Sequence, residues 1–114
     1  MKKKNILVSI IIPVYNEQNL IKKLLKKVNA VKNIKKEIII INDGSSDNTC
    51  KILKDECKNL FDKLIDCKEN KGKGHACRLG IKKAKGQIII IQDGDLEYNP
   101  KNYERLIKPI LQNK

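Results

Sequence analysis

Short apolar runs rich in β-branched residues recur along this chain, and each is followed by polar residues and then by a segment with apolar positions three and four apart. No other feature of the sequence constrains the fold as much. Ile6-Leu7-Val8-Ser9-Ile10-Ile11-Ile12 is too short for a helix and too continuously apolar for a strand with one wet face. It reads as a strand buried on both sides. Residues 13–16 form a loop, because Pro13 has no N–H to give a central ladder. From Glu17 onward Leu20, Ile21, Leu24, Leu25 and Val28 share one helical face, with lysines opposite.

Residues 36–41 give a second buried strand, and Ser46 or Asp47 can cap a helix running through Ile52, Leu53, Cys57 and Leu60. Residues 62–68 form a third strand with Leu64 and Ile65 as its apolar part. A loop over 70–74 then opens a helix over 75–85, which Gly86 ends in the left-handed conformation. Residues 87–92 are the fourth strand. Asn99-Pro100 starts a last helix that turns Tyr103, Leu106, Ile107, Ile110 and Leu111 inward.

The resulting β-α-β-α-β-α-β-α order predicts an α/β fold of three layers, a mostly parallel sheet with helices on both faces. Right-handed crossovers give the strand order 3-2-1-4, with a reversal of direction between strands one and four. Ligands of such sheets bind beyond the carboxyl ends of the strands, at the reversal. The loops after strands one, two and four all fall there. With 114 residues, the chain is one domain, 1–114.

Charge narrows the partners. Twenty-five basic residues against 13 acidic give a net +12, mostly as lysines spread along the chain. A solvated lysine surface accounts for this better than a dedicated polyanion patch, so no nucleic-acid partner is expected; such a surface also favours nucleotide phosphates and anionic lipid head groups. Cys50, Cys57, Cys67 and Cys77 contain no Cys-x-x-Cys pair and the chain has one histidine, which argues against a zinc site or a disulfide framework and for reduced thiols in a cytosolic protein. The basic start Met1-Lys2-Lys3-Lys4 is followed by an apolar run that Pro13 interrupts, with no small-residue cleavage site, so it reads as a strand rather than a signal peptide. No apolar stretch approaches the roughly 18 residues that span a bilayer.

Three loops carry candidate chemistry. Asp93-Gly94-Asp95 stands at the exit of strand four, where two carboxylates can hold Mg²⁺ or Mn²⁺ and bridge it to phosphates. Such an ion neutralises charge developing on a diphosphate leaving group; a solvated acidic turn is the alternative. Asp43 can accept a hydrogen bond from the ring N–H of a base, and Gly44 allows backbone to approach a ligand closely, unless the two only make a turn before a helix. The loop Asn70-Lys71-Gly72-Lys73-Gly74 can place backbone amides and a lysine near phosphates or sugar, or simply enter the helix. It is neither a Walker loop nor a dinucleotide fingerprint. His75 beside it reads as a solvated loop residue.

Taken together, Ile12-Pro13-Val14-Tyr15-Asn16-Glu17, Asn42-Asp43-Gly44-Ser45-Ser46-Asp47-Asn48-Thr49, Asn70-Lys71-Gly72-Lys73-Gly74 and Gln92-Asp93-Gly94-Asp95-Leu96-Glu97-Tyr98-Asn99-Pro100 resemble family 2 glycosyltransferases of the GT-A fold. The fourth block is most similar to the branch of dolichyl- or polyprenyl-phosphate mannose and glucose synthases. The resemblance implies a UDP- or GDP-sugar donor, Mg²⁺ or Mn²⁺, and transfer of a hexose with inversion to an acceptor such as polyprenyl phosphate at the cytoplasmic face of a membrane. It assigns Pro13, Tyr15 and Glu17 to the nucleoside site with Asp43 on the base, groups Ile41, Gly44, Lys71 and Gln92 with the donor site, and gives Asp93 to ribose or metal and Asp95 to metal. Gly94 stands where the branch often has alanine, a difference small enough to leave the geometry alone, and Asn42 replaces the first acid of a frequent Asp-Asp pair.

The family continues well past the length of this chain, and the acceptor half and catalytic carboxylate lie in that continuation. The expectation is therefore the nucleotide-sugar-binding half of a truncated domain, with no catalytic residue of its own, weak donor binding and little transfer. An open edge beside strand four invites self-association. A different class of function, a non-catalytic nucleotide-binding or assembly module completed by another chain, stays open. A receiver-like signalling domain fits poorly: it wants paired acids after strand one and a phosphorylatable Asp after strand three, where this chain has Asn16-Glu17 and Lys68-Glu69.

Overall fold

The computed structural model describes residues 6–94 together with Pro100 and Tyr103. Its elements follow the expected alternation: β1 (Leu7–Val14), α1 (Ile21–Ala30), β2 (Lys35–Asp43), α2 (Thr49–Glu56), a single 3₁₀ turn (Lys58–Leu60), β3 (Lys63–Cys67), α3 (Lys73–Lys83) and β4 (Ile88–Ile91). The strands form a parallel sheet in the order β3-β2-β1-β4. Strand order and three-layer architecture agree with the sequence reading.

Burial on both faces of β1 and β2 explains why their sequences run apolar without alternation. On one side Val8, Ile10, Ile12 and Val14 pack with Ile38 and Ile40 against Ile21, Leu24, Leu25 and Val28 of α1 and Leu53 of α2. On the other side Ile11, Ile39 and Ile41 meet Ala76 of α3. Tyr103 is fully buried in the first cluster, as the inward assignment expects. The remaining positions assigned to a last helix, Leu106 to Leu111, lie outside the described residues.

Element ends differ from the expectation where side chains anchor loops. β2 continues through Asn42 and Asp43, because Asp43 pairs in register with Cys67 of β3. α2 begins at Thr49, and Asp47 bonds its first amide from outside the helix, Thr49 N–H to Oδ1 at 2.9 Å. α3 starts two residues before the expected His75 and ends at Lys83. Gly86 does not close it in a left-handed conformation; among the described residues only Asn16, Gly44 and Gly72 have positive φ. Gly86 instead lies flat on β1, where a Cβ would sit 2.6 Å from Ser9 Oγ and 2.7 Å from the Leu7 carbonyl oxygen. Close approach, not chirality, selects glycine there.

Among the described residues β4 pairs only with β1, and Ile89 and Ile91 on it are 40% and 36% exposed. No helix of the described residues is long and apolar enough to cross a membrane.

Candidate functional site

The loops after β1, β2 and β4 meet at the carboxyl rim of the sheet and, with the start of α3, enclose a cleft of about 330 Å³. Pro13, Val14, Tyr15 and Glu17 supply one wall. Asp43, Asn70, Gly72 and Lys73 supply another, and Asp93 and Gly94 close the third. The cleft thus lies beyond β1 and β4, where the strand order reverses.

Side-chain to backbone bonds hold the first wall. Asn16 adopts a left-handed φ of 52°, which asparagine tolerates better than most residues. In that pose its Oδ1 accepts the N–H groups of Ser46 at 2.8 Å and Asp47 at 3.2 Å, while its own N–H donates to Ser45 Oγ at 2.9 Å. Glu17 N–H donates to Thr49 Oγ1 at 2.9 Å, and the Asn48 N–H donates to Gln18 Oε1 at 3.0 Å. The β1 and β2 loops are therefore one laced unit. Tyr15, 47% exposed, is presented on it at the cleft mouth.

Asp43 holds the second wall. Its carboxylate accepts the N–H groups of Lys71 at 3.0 Å and Gly72 at 2.9 Å and the Asn70 amide at 3.1 Å. An ionised carboxylate has about four acceptor positions, and the described residues fill three of these on Asp43. Gly44, at φ 69°, permits the adjoining approach: a Cβ there would lie 2.4 Å from both Asn70 N and the Glu69 carbonyl carbon. The close approach expected of Gly44 is thus made to the chain's own loop, not to a ligand. Neighbouring Asn42 donates to Asp66 at 3.0 Å. Burial pushes the Asp66 carboxyl up, but bonds from Cys50, Lys54 and Asn42 outweigh it and leave the group below its ordinary value.

On the third wall Asp93 Oδ1 is paired with Lys73 Nζ, which reaches across from the first turn of α3. Gln92 behind it is fully buried, accepting the Tyr103 hydroxyl at 2.7 Å and donating to the Asp93 carbonyl oxygen at 3.1 Å. Gly94 packs against β1; a Cβ would meet Val14 Cγ1 at 3.0 Å, so an alanine would require Val14 to shift. The substitution is less neutral than the sequence implied.

Of the expected site residues, Pro13, Tyr15, Glu17, Asp43 and Asp93 line one cleft. Ile41 and Gln92 are buried supports, because strand alternation turns Ile41 into the core under α3 and Gln92 toward Tyr103. Lys71 gives its amide to Asp43 and lines a separate hollow of about 210 Å³ with Cys67, Lys68, Glu69 and His75. Among the described residues the lysine that lines the cleft is Lys73. Asn16, Asn70 and Lys73 stood in the sequence only as members of motif loops, with no role of their own. Asparagine after a strand and a lysine at the true helix start were the available signals. His75 belongs to the first turn of α3, half-buried, and its Nδ1 has no partner among the described residues.

Asp95, the second expected metal ligand, lies outside the described residues. Among the described residues no group of three or more His, Cys, Asp or Glu side chains gathers to hold a metal. The donor chemistry nevertheless fits Mg²⁺ or Mn²⁺, which are bound through one or two carboxylates plus water and substrate phosphates. Asp93 supplies such an oxygen at the cleft wall.

Residues 9–114 match the family model for glycosyl transferase family 2. The chain is 41% identical over 88 residues to a poly-beta-1,6-N-acetyl-D-glucosamine synthase of Staphylococcus epidermidis, an alignment covering 77% of this chain and 21% of that protein. It is similar to the mannosyltransferase PcManGT of Pyrobaculum calidifontis, solved with GDP-Man and Mn²⁺, with a TM-score of 0.69 and 29% identity over 77% of this chain and 27% of that one. The fold also matches S. aureus TarS 1-349, solved with UDP-GlcNAc, at a TM-score of 0.76 and 23% identity, covering 93% of this chain and 31% of that one. The match thus spans about a fifth of the length of the curated relative.

Proposed function

Because the chain belongs to glycosyl transferase family 2, we propose that its cleft holds the diphosphate and nucleoside of a UDP- or GDP-sugar and serves hexose transfer to an acceptor. One observation carries this reading: Tyr15, Asp43, Lys73 and Asp93, from separate elements, converge on a single cleft at the strand-order reversal. Tyr15 offers an aromatic face to a base, and the Asp43 carboxylate suits a ring N–H. Lys73 and the amino end of α3 suit phosphate charge. The solved mannosyltransferase relative, with GDP-Man and Mn²⁺, supports a divalent ion at Asp93 and Asp95. Such an ion, when bound, offsets negative charge on the departing diphosphate.

In the transfer itself an acceptor oxygen forms a bond to the anomeric carbon as the bond to the diphosphate breaks. The diphosphate leaves with the electron pair, and the acceptor proton passes to a base. The acceptor class has two supports. The motif around Asp93 is similar to polyprenyl-phosphate sugar synthases, which favours a lipid phosphate at a membrane surface. The 41% identical relative is a polysaccharide synthase by name, which favours a sugar hydroxyl. An identity that runs over 88 residues, against likeness in one short motif, makes the second the stronger.

Thermal shift with UDP- and GDP-sugars, with and without Mn²⁺, tests the donor site. Metal-dependent stabilisation that disappears in Asp93→Ala is expected. No shift with any nucleotide at millimolar concentration would overturn the proposal.

A further inference from the structure

We propose that Tyr103 and Gln92 are positioning residues for Asp93: the tyrosine hydroxyl, buried in the core, orients the Gln92 amide, and that amide holds the backbone of Asp93 at the cleft wall. The inference rests on the donor-site reading above and says what sets the acidic wall of that site in place.

β4 stops short of Asp93. Its register with β1 ends at Ile11 and Ile91, and the Gln92 N–H makes one further bond, to the Ile11 carbonyl oxygen at 2.8 Å. Asp93 lies beyond that bond, where the ladder no longer dictates the path of the backbone. The side chain of Gln92 takes over. Its Nε2 donates to the Asp93 carbonyl oxygen at 3.1 Å, while its Oε1 accepts the Tyr103 hydroxyl at 2.7 Å. On the other side Gly94 lies against β1, where a Cβ would come within 3.0 Å of Val14 Cγ1 and 3.4 Å of the Pro13 carbonyl oxygen. Both neighbours of Asp93 are thus anchored, and Asp93 itself lines the cleft.

The polar groups of Gln92 and Tyr103 need a reason, because both residues are fully buried. Tyr103 belongs to the same apolar cluster as Ile10, Ile12 and Ile90. An apolar pair of similar size would fill the space without the cost of burying an amide and a hydroxyl. What the polar pair adds is direction. A glutamine amide has an acceptor end and a donor end, and only the donor end can serve a carbonyl oxygen. With the amide turned round, Oε1 would face the Asp93 carbonyl, oxygen against oxygen. The Tyr103 hydroxyl offers its proton to Oε1 and so favours the orientation that serves Asp93. Its ring is packed in the core, which makes the core the reference point for the acidic wall.

Tyr103→Phe removes the hydroxyl and keeps the ring, so it tests orientation rather than packing. Val28→Ala, which trims the same core from α1, controls for lost stability. In nuclear magnetic resonance spectra Tyr103→Phe is expected to speed solvent exchange of the Gln92 side-chain amide protons about tenfold and to shift the backbone amide signals of Asp93 and Gly94, with neither effect in Val28→Ala. Mn²⁺-supported binding of UDP and GDP should weaken about fivefold in Tyr103→Phe and stay within about twofold in Val28→Ala. Gln92→Leu should weaken it at least as much, and the double variant no further than Gln92→Leu alone, because the two side chains act in series. Unchanged Gln92 exchange and Asp93 signals in Tyr103→Phe, or an affinity loss as large in Val28→Ala, would overturn the proposal. If wild type binds no nucleotide while the Gln92 and Asp93 signals still respond to Tyr103→Phe, the donor reading falls and the positioning of Asp93 stands.

Discussion

The Asp43 carboxylate accepts the Gly72 N–H at 2.9 Å, joining the end of β2 to the residue before α3 across 29 positions of sequence. Two further bonds, from Lys71 N–H and the Asn70 amide, share the same carboxylate. One side chain, itself 4% exposed, thus fixes both the loop and the starting point of α3.

Replacing Asp43 should therefore loosen that loop before any ligand is considered. Asp43→Asn keeps the shape but turns one acceptor into a donor facing N–H groups. A cost of about 2–4 kcal/mol follows from losing charge-assisted bonds and leaving buried donors unmatched. Urea unfolding measures the cost, and hydrogen exchange at Lys71 and Gly72 locates it. Unchanged protection of those two amides would refute the clamp.

A second buried carboxylate, Glu37, ties the opposite rim. Its Oε2 accepts the Ser9 hydroxyl at 2.5 Å and the Lys85 N–H at 2.6 Å, and Gly86 N–H donates back to Ser9 Oγ at 2.8 Å. Burial raises its carboxyl pKa, but the Lys85 N–H, the Ser9 hydroxyl and the charges of Lys63 and Lys85 bring it below the ordinary value. A depressed folded-state value means that the stabilisation is fully present above the unfolded value of 4.5 and is lost as pH falls through the folded one. Stability should thus be level from neutral pH to about 5 and decline below about 4.5. Glu37→Gln should be less stable at neutral pH and show a shallower acid limb. Asp47 and Asp66, also depressed, would keep part of that limb in the variant. An acid limb of unchanged steepness in Glu37→Gln would count against the role.

Much of this architecture was legible in the sequence because both faces of the central strands are covered. Continuous runs such as Ile10-Ile11-Ile12 and Ile38-Ile39-Ile40-Ile41 carry that double burial directly, and it fixed element order and sheet order. Loop-anchoring bonds were less legible. Asp43 looks alike whether it caps, clamps or binds, and only the fold shows its partners 27 to 29 residues away. The same distance hid Lys73: its role depends on α3 starting two residues early, which Asp43 imposes from another strand. Gly86 was misjudged because glycine serves left-handed turns and close approaches equally well, and sequence spacing cannot tell them apart.

Asn16 separates two contributions that usually travel together. Its left-handed backbone favours Asn or Gly, and its Oδ1 accepts two N–H groups of the β2 loop. Asn16→Asp keeps an acceptor and a tolerated backbone, so its stability should lie close to wild type. Asn16→Gly keeps only the backbone freedom and should lose about 1 kcal/mol for the missing bonds. Asn16→Ala loses the bonds and adds the cost of a left-handed alanine, about 1–2 kcal/mol more. Chemical unfolding of the three variants should therefore rank Asp, Gly, Ala from most to least stable. Because Tyr15 rides on the same laced unit, nucleotide affinity should fall in that order too. A glycine variant as stable as the aspartate would mean that backbone geometry alone holds the β1 loop, and that the lacing through Ser46 and Asp47 contributes nothing.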